Sequence, residues 1–273
     1  MDKIFLLGFG SAKCGTTWLY EYLSRCDGID LGPAKEWTTL AAREKYFKRW
    51  PDLRRFEEDI GCSQYELNQP GKYESFFSSI LEGSRNHVTG DLSPSNIFLD
   101  LEDLIEIKNR LESVGFHVKP VICMRDPINR LESRSGWRFM RGERFHWSEM
   151  VEIGNIESPW EILPVSTLQV KNSSERVMGD YKTALEKLYS VFSEEDILPL
   201  IYEEMFEIET VLRFKEFLNI PNLYSFRMLD QKVNVGKPVH FKESHKEGLK
   251  KRYQDIYEYC YEKFPQTEEL WYK

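Results

Sequence analysis

Apolar positions along this chain follow two rhythms. Short unbroken runs occur at Ile4, Phe5, Leu6, Leu7 and Phe9, again over 118–124, and again over 197–202. Each is too short for an independent helix, and the first is bounded by glycine, so these runs read as buried strands of a parallel sheet. Elsewhere apolar residues recur at helical spacing. Trp18, Leu19, Tyr22 and Leu23 form one stripe, and Phe76, Phe77, Ile80 and Leu81 another. Leu101, Leu104, Ile105, Leu111 and Val114 are expected to share a face of a helix over 98–114, and Val177, Tyr181, Leu185, Leu188 and Phe192 a face of one long helix over 171–192. Further helices are predicted from Thr16, over 73–81, 210–218 and 243–264, with an amphipathic stretch over 38–60 interrupted at Pro51.

The punctuation agrees with this reading. Gly115 suits the position just past a helix end, and Pro127 the first turn of a following helix. A short strand over 87–89 is expected to end at Gly90-Asp91-Leu92-Ser93-Pro94. Strands alternating with helices, without repeats or low-complexity linkers, predict a single α/β domain over 1–273, a parallel sheet with helices on both faces. Ligands of such sheets sit beyond the carboxyl ends of the strands, so the loops 10–16, 90–95 and 125–133 should converge on one crevice. The segment 145–170 lacks clean periodicity; a substrate-covering region and an ordinary surface excursion describe it equally well.

Composition narrows the partners. Hydrophobic and charged contents of 41% and 30% belong to an ordinary globular chain. The net charge of −8 disfavours nucleic acid as a partner. No apolar run approaches the roughly 20 residues needed to span a bilayer, and no leader pattern opens the chain. Cys14, Cys26, Cys62, Cys123 and Cys260 are scattered and odd in number, which supports neither a disulfide framework nor a zinc site.

The first strand runs into Gly10-Ser11-Ala12-Lys13-Cys14-Gly15-Thr16-Thr17 and then a helix. A glycine-rich loop opening a helix aims backbone N–H groups and the positive end of a helix dipole at one point, where a phosphate fits. The glycine spacing and Thr17 follow the Walker A pattern, but Thr16 holds the lysine position and Lys13 lies back in the loop. A kinase or NTPase needs the later lysine and Mg²⁺ for its β/γ-phosphates. A displaced lysine points to a phosphate-bearing donor whose transferred group carries less charge.

This loop resembles the 5′-phosphosulfate loop of sulfotransferases that use 3′-phosphoadenosine 5′-phosphosulfate (PAPS), and within them the bacterial and carbohydrate-type branch. A second segment, Arg125-Asp126-Pro127-Ile128-Asn129-Arg130-Leu131-Glu132-Ser133, resembles that family's 3′-phosphate motif at every defined position. From the helix pattern alone, pairing of Arg125 and Arg130 with nearby carboxylates is the favoured reading, and the glycine-rich loop upstream reverses that order. The resemblance covers the chain from residue 4 to about 240. It implies a three-layer, P-loop NTPase-like fold, PAPS as donor and 3′,5′-bisphosphoadenosine (PAP) as product, no metal, and a small-molecule or carbohydrate acceptor. Golgi members carry a membrane anchor, so a cytoplasmic chain or a trimmed catalytic domain is expected.

Residue by residue, the resemblance assigns the 5′ end of the donor to Lys13, Cys14, Gly15, Thr16 and Thr17, and the 3′-phosphate to Arg125 and Ser133. Lys13 is the expected electrostatic catalyst, because a cation beside the bridging oxygen stabilises the charge that grows as the donor bond breaks. Lys35-Glu36 resembles the Lys-Glu pair of carbohydrate sulfotransferases, making Glu36 the candidate base; Thr38 and Thr39 stand where aromatics usually follow. Asp91, in a segment like the family's Gly-Glu-x-Ser-Pro, is the rival base or a substrate-orienting group. Trp18 either stacks on adenine or fills the core. Lys237 is a further 3′-phosphate ligand candidate, in the region of the family's basic closing loop. Cys14 is either a reactive thiol or simply a small loop residue, and His87 is read as structural. Arg134, Arg138, Arg141 and Arg144 are either a solvated face or readers of an anionic acceptor. The alternatives to a sulfotransferase are a P-loop nucleotide kinase or NTPase and a non-catalytic adenine-nucleotide-binding protein.

Overall fold

Both sets of alternating residues on the first strand, β1 (Lys3–Gly8), are apolar. Phe5 and Leu7 lie in one buried cluster, Ile4 and Leu6 in another. A strand apolar on both faces is stable only when both are covered, which dictates a layer of helices on each side. The computed structural model describes residues 2–40, 64–67, 69–140, 151–152, 174–220, 222, 228–229, 231, 233 and 239–271. After β1 come α1 (Thr16–Leu23), α2 (Gln64–Leu67), α3 (Lys72–Leu81), β2 (Val88–Asp91), α4 (Leu101–Ser113), β3 (Phe116–Met124), α5 (Pro127–Met140) and β4 (Val151–Glu152). They are followed by α6 (Ser174–Gly179), α7 (Tyr181–Val191), β5 (Leu198–Ile201), α8 (Ile208–Leu218), β6 (His240–Phe241), α9 (Glu243–Arg252), α10 (Gln254–Lys263) and α11 (Gln266–Leu270).

The main sheet is four-stranded and parallel, in the order β2-β1-β3-β5. One face packs against α3, α4, α7 and α10 through Phe77, Leu104, Leu185 and Ile256; the other packs against α1 and α8 through Leu19, Tyr22 and Phe214. Burying each such side chain contributes about 1.5–3 kcal/mol. The chain leaves β1 toward β2 on one side and leaves β3 toward β5 on the other. Connections diverging from adjacent strands open a crevice between their carboxyl ends. The glycine-rich loop and the Arg125 segment leave from those two ends. The prediction of an α/β fold with a central parallel sheet flanked by helices therefore matches the observed architecture. A separate antiparallel pair, β4 with β6, was not foreseen.

Three helix expectations need correction. The buried stripe of α4 is Leu104, Ile107 and Leu111, whereas Leu101, Ile105 and Val114 are exposed. The helix starts at its Asp100 cap, which accepts from the N–H of Asp103 at 2.9 Å, and it is rotated relative to the expected face. The helix expected over 171–192 is two helices, α6 and α7, and the one over 243–264 is also two, α9 and α10. Both breaks meet at Tyr253. This residue ends α9 and turns its ring inward, where a Cβ on Gly179 would come within 2.9 Å of it. Asp180 restarts the chain as the cap of α7, accepting from Thr183 N–H at 3.1 Å. The expected helix over 38–60 falls largely outside the described residues. Among the described residues, no helix is long and apolar enough to cross a membrane.

Candidate active site

The loop after β1 is stitched to β3 beyond the end of the strand. Ser11 N–H donates to Cys123 O at 2.9 Å, and Cys123 N–H to Gly10 O at 3.0 Å. Ser11 is fully buried and its hydroxyl donates to Met178 O. Lys13 and Gly15 both adopt left-handed φ, at 71° and 88°. At Gly15 the left-handed φ disfavours any side chain, and a Cβ there would also press on Met205, whose Sδ would lie 2.5 Å away. Gly15 is also the N-cap of α1, so it brings no side chain to the first-turn N–H groups, which stay available to an anion.

Arg125 leaves the end of β3 and reaches across to this loop. Its Nη1 donates to Lys13 O at 3.4 Å, and its guanidinium lies 4.1 Å from the centre of the Tyr202 ring. Its Nε is buried and has no hydrogen-bond partner among the described residues. The backbone of Arg125 is clamped by Tyr181, whose hydroxyl donates to Arg125 O at 2.8 Å and lies 3.4 Å from Arg125 N and 3.7 Å from Cys14 Sγ. Asp126 caps α5: one carboxylate oxygen accepts from Asn129 N–H at 2.8 Å and the other from the Tyr257 hydroxyl at 2.9 Å. Glu203 accepts from Asp126 N–H at 3.4 Å and from the Trp271 indole at 2.9 Å.

The two arginines of this motif separate in role. Arg130 is fully buried, at 3.3 Å from a Glu175 carboxylate oxygen and 2.7 Å from Glu175 O, which makes it a tie between α5 and α6. Arg125 has no ion pair among the described residues. Ser133 is half-buried and its hydroxyl makes no hydrogen bond among the described residues. It lies one turn before Trp137 on the same face of α5, and Lys13 Nζ sits 5.8 Å from the centre of the Trp137 ring.

Lys13 is the electrostatic centre of this arrangement. Burial, followed by the charges of Arg134, Lys35 and Arg125, lowers its pKa to about 8. It has no carboxylate partner among the described residues. Three cations drawn together around a half-buried ammonium, beside an unpartnered buried Arg125 Nε, make a site that fits a polyanion. Arg134 also spans to Glu175 at 3.1 Å and lies 4.8 Å from the Trp137 ring centre.

The remaining predicted residues divide clearly. Thr16 is buried at the helix start and Thr17 half-buried beside it. Lys35 and Glu36 form an ion pair; Glu36 is 45% exposed, while Lys35 acts electrostatically on Lys13. Asp91 is not open to an acceptor. It is fully buried, one oxygen receives both the N–H and the hydroxyl of Ser93, and the other receives the Tyr73 hydroxyl at 3.1 Å. Burial pushes its pKa up, against the effect of those donors. Trp18 is 2% exposed, donates its indole N–H to Met228 O at 3.0 Å and stacks on Tyr22, which is the core alternative. Cys14 is fully buried and burial raises its thiol to about 11, as fits a loop-filling residue rather than a reactive thiolate. His87 is buried with Nε2 3.3 Å from Leu218 O, as a structural residue would be. Lys237, Arg141, Arg144, Cys62 and most of 145–170 lie outside the described residues, as does the side chain of Arg138.

Sequence reasoning missed the residues behind the Arg125 segment: Tyr181, Glu203, Tyr257 and Trp271. Tyr181 was visible only as one apolar position of a helical stripe. Nothing in a periodicity marks a hydroxyl that bridges to a loop 56 residues away.

No family model and no curated relative matches this chain. Among solved structures it is similar to a sulfotransferase from Alicyclobacillus acidocaldarius, with a TM-score of 0.59, 16% identity and 94% of each chain covered. The sulfotransferase domain of the Synechococcus PCC 7002 olefin synthase has a TM-score of 0.47 and 14% identity over 87% of this chain and 82% of that one. The sulfotransferase domain from the curacin biosynthetic pathway has a TM-score of 0.48 and 16% identity over 86% and 80%. At such identities the likeness is one of architecture: the chain has the fold of the Alicyclobacillus sulfotransferase over nearly its whole length.

Proposed function

We propose that this protein is a sulfotransferase that takes its sulfuryl group from PAPS and delivers it to a hydroxyl or amine of a small-molecule or carbohydrate acceptor. The observation that carries this reading is the meeting of two phosphate-type motifs at one crevice, with Arg125 Nη1 3.4 Å from Lys13 O. The loop of Lys13, Gly15, Thr16 and Thr17 would hold the 5′ end of the donor. Arg125 and Ser133 would hold the 3′-phosphate. Lys237 is retained as a further ligand for it on the motif resemblance alone.

PAPS supplies the activated sulfuryl group. As the acceptor oxygen or nitrogen bonds to sulfur, the bond from sulfur to the bridging oxygen breaks, and its electron pair stays on the departing PAP. Lys13 stabilises that oxygen, which carries more charge in the transition state than before it. Glu36, exposed beside Lys35, receives the proton that the acceptor loses. Lys35 adds to the positive field around Lys13.

Calorimetric titration with PAP and 5′-AMP tests the donor. PAP should bind more tightly than 5′-AMP, and Arg125→Ala should remove most of that difference while leaving 5′-AMP affinity nearly unchanged. Equal affinities in the wild type, or a preference for Mg-ATP, would refute the assignment. A radiolabelled-PAPS screen against sugars, alcohols, phenols and amines then identifies the acceptor class.

A further inference from the structure

Glu36 projects into solvent from a loop, yet a base must hold a fixed place to act on an acceptor. The loop is pinned on the side that follows it. Trp37 is fully buried, its ring centre 4.9 Å from that of Phe76 and 5.6 Å from that of Phe77 on α3. Thr38 is a β-branched residue at φ 55°, a left-handed conformation that persists only when its surroundings impose it. Its N–H donates to Ser93 Oγ at 2.8 Å. The hydroxyl of Ser93 in turn donates to Asp91, and the Ser93 N–H donates to the same carboxylate oxygen at 2.9 Å. Tyr73 on α3 secures the other oxygen at 3.1 Å.

These contacts form one chain, from α3 through Asp91 at the tip of β2 and Ser93 to the backbone two residues beyond Glu36. Every hydrogen on it has a defined acceptor. The Ser93 hydroxyl donates to Asp91, which leaves a lone pair of Ser93 Oγ for Thr38 N–H. We infer that Ser93, oriented by Asp91, is a positioning residue that fixes the backbone carrying Glu36. This inference rests on the sulfotransferase reading with Glu36 as base, and it gives Asp91 a role other than that of a rival base.

The test compares Ser93→Ala, Ser93→Thr and Glu36→Gln with the double variant Ser93→Ala/Glu36→Gln. Turnover is followed with radiolabelled PAPS and the best acceptor from the screen. Ser93→Ala should lower kcat by about 10- to 100-fold, the range expected for a reacting group displaced by a fraction of its working distance. PAP affinity and KM for PAPS should stay at wild-type values, and the Thr38 amide should exchange hydrogen faster. Ser93→Thr should restore kcat. In the Glu36→Gln background Ser93→Ala should cause no further loss, because the two act as one unit. If Ser93→Ala does not fold, Ser93→Cys fills the same space with a poor acceptor and should show the same split. A wild-type kcat for Ser93→Ala beside an inactive Glu36→Gln overturns the positioning role alone, as does an equal loss in both backgrounds. A wild-type kcat for Glu36→Gln overturns the base assignment and this inference with it.

Discussion

In the proposed mechanism Lys13 concentrates the chemistry of the site in one side chain. Its ammonium is held in a half-buried position against three other cations, and its pKa falls to about 8. The role proposed for Lys13 needs the protonated form, so the dependence on pH has a definite sign. In the free enzyme the protonated fraction falls as pH rises through about 8. The value of kcat/KM for PAPS should therefore be flat below that pH and decline above it. A bound polyanion favours the ammonium, so the corresponding limb in kcat should lie at higher pH. Arg134→Gln removes the neighbouring charge with the largest effect on Lys13 and should move the kcat/KM limb upward. A limb that stays in place in that variant would mean another group titrates. Lys13→Ala should lower kcat by about 10²–10³-fold, as losing a comparable transition-state donor does elsewhere, while PAP still binds measurably.

At the scale of elements, α5 shows how a helix start is built to aim the arginine that precedes it. Asp126 satisfies Asn129 N–H with one oxygen and the Tyr257 hydroxyl with the other. Asp126→Ala removes a helix cap, worth about 0.5–2 kcal/mol, and leaves the buried Tyr257 hydroxyl without its acceptor, a further 1–3 kcal/mol or so. Urea denaturation should show a loss within the sum of those ranges, and PAP affinity should drop because Arg125 is the adjacent residue. Stability lost without any change in PAP affinity would separate the cap from the site. Much of this element was legible in the sequence, since Pro127 marks the first turn and Arg125 and Ser133 recur at motif spacing. The breaks at Asp180 and Tyr253 were not legible, because apolar periodicity continues through both. Each break depends on the other: Tyr253 needs the bare Gly179 to pack against, and Gly179 gains its meaning only from Tyr253. The buried face of α4 escaped for a related reason, since Leu101, Ile105 and Val114 are as apolar as the residues that turned inward. Glu203 and Trp271 escaped because their contact joins residues 68 positions apart.

Considered as a whole, the molecule places the two loops proposed to bind phosphate on adjacent strands and then fixes their separation from behind. The topology brings them to the same end of the sheet, but β1 and β3 set only the backbone of their last residues. The side chains beyond the strands need another reference, and Tyr181 supplies it. Its hydroxyl bonds to the backbone of Arg125 and touches Cys14, while α7, which carries it, packs into the same core as β3. A ligand that bridges both loops gains from their being set in advance, because less ordering remains at the moment of binding. Saturating PAP should therefore raise the melting temperature of the wild type, by mass action on the native state. Tyr181→Phe removes one hydroxyl from a buried site and should lower intrinsic stability by about 0.5–1.5 kcal/mol. Its larger effect should be on the PAP-induced shift, which should shrink, while the smaller shift given by 5′-AMP stays as in the wild type, since 5′-AMP engages only the first loop. A PAP shift in Tyr181→Phe as large as that of the wild type would show that β1 and β3 hold the loops in register without α7.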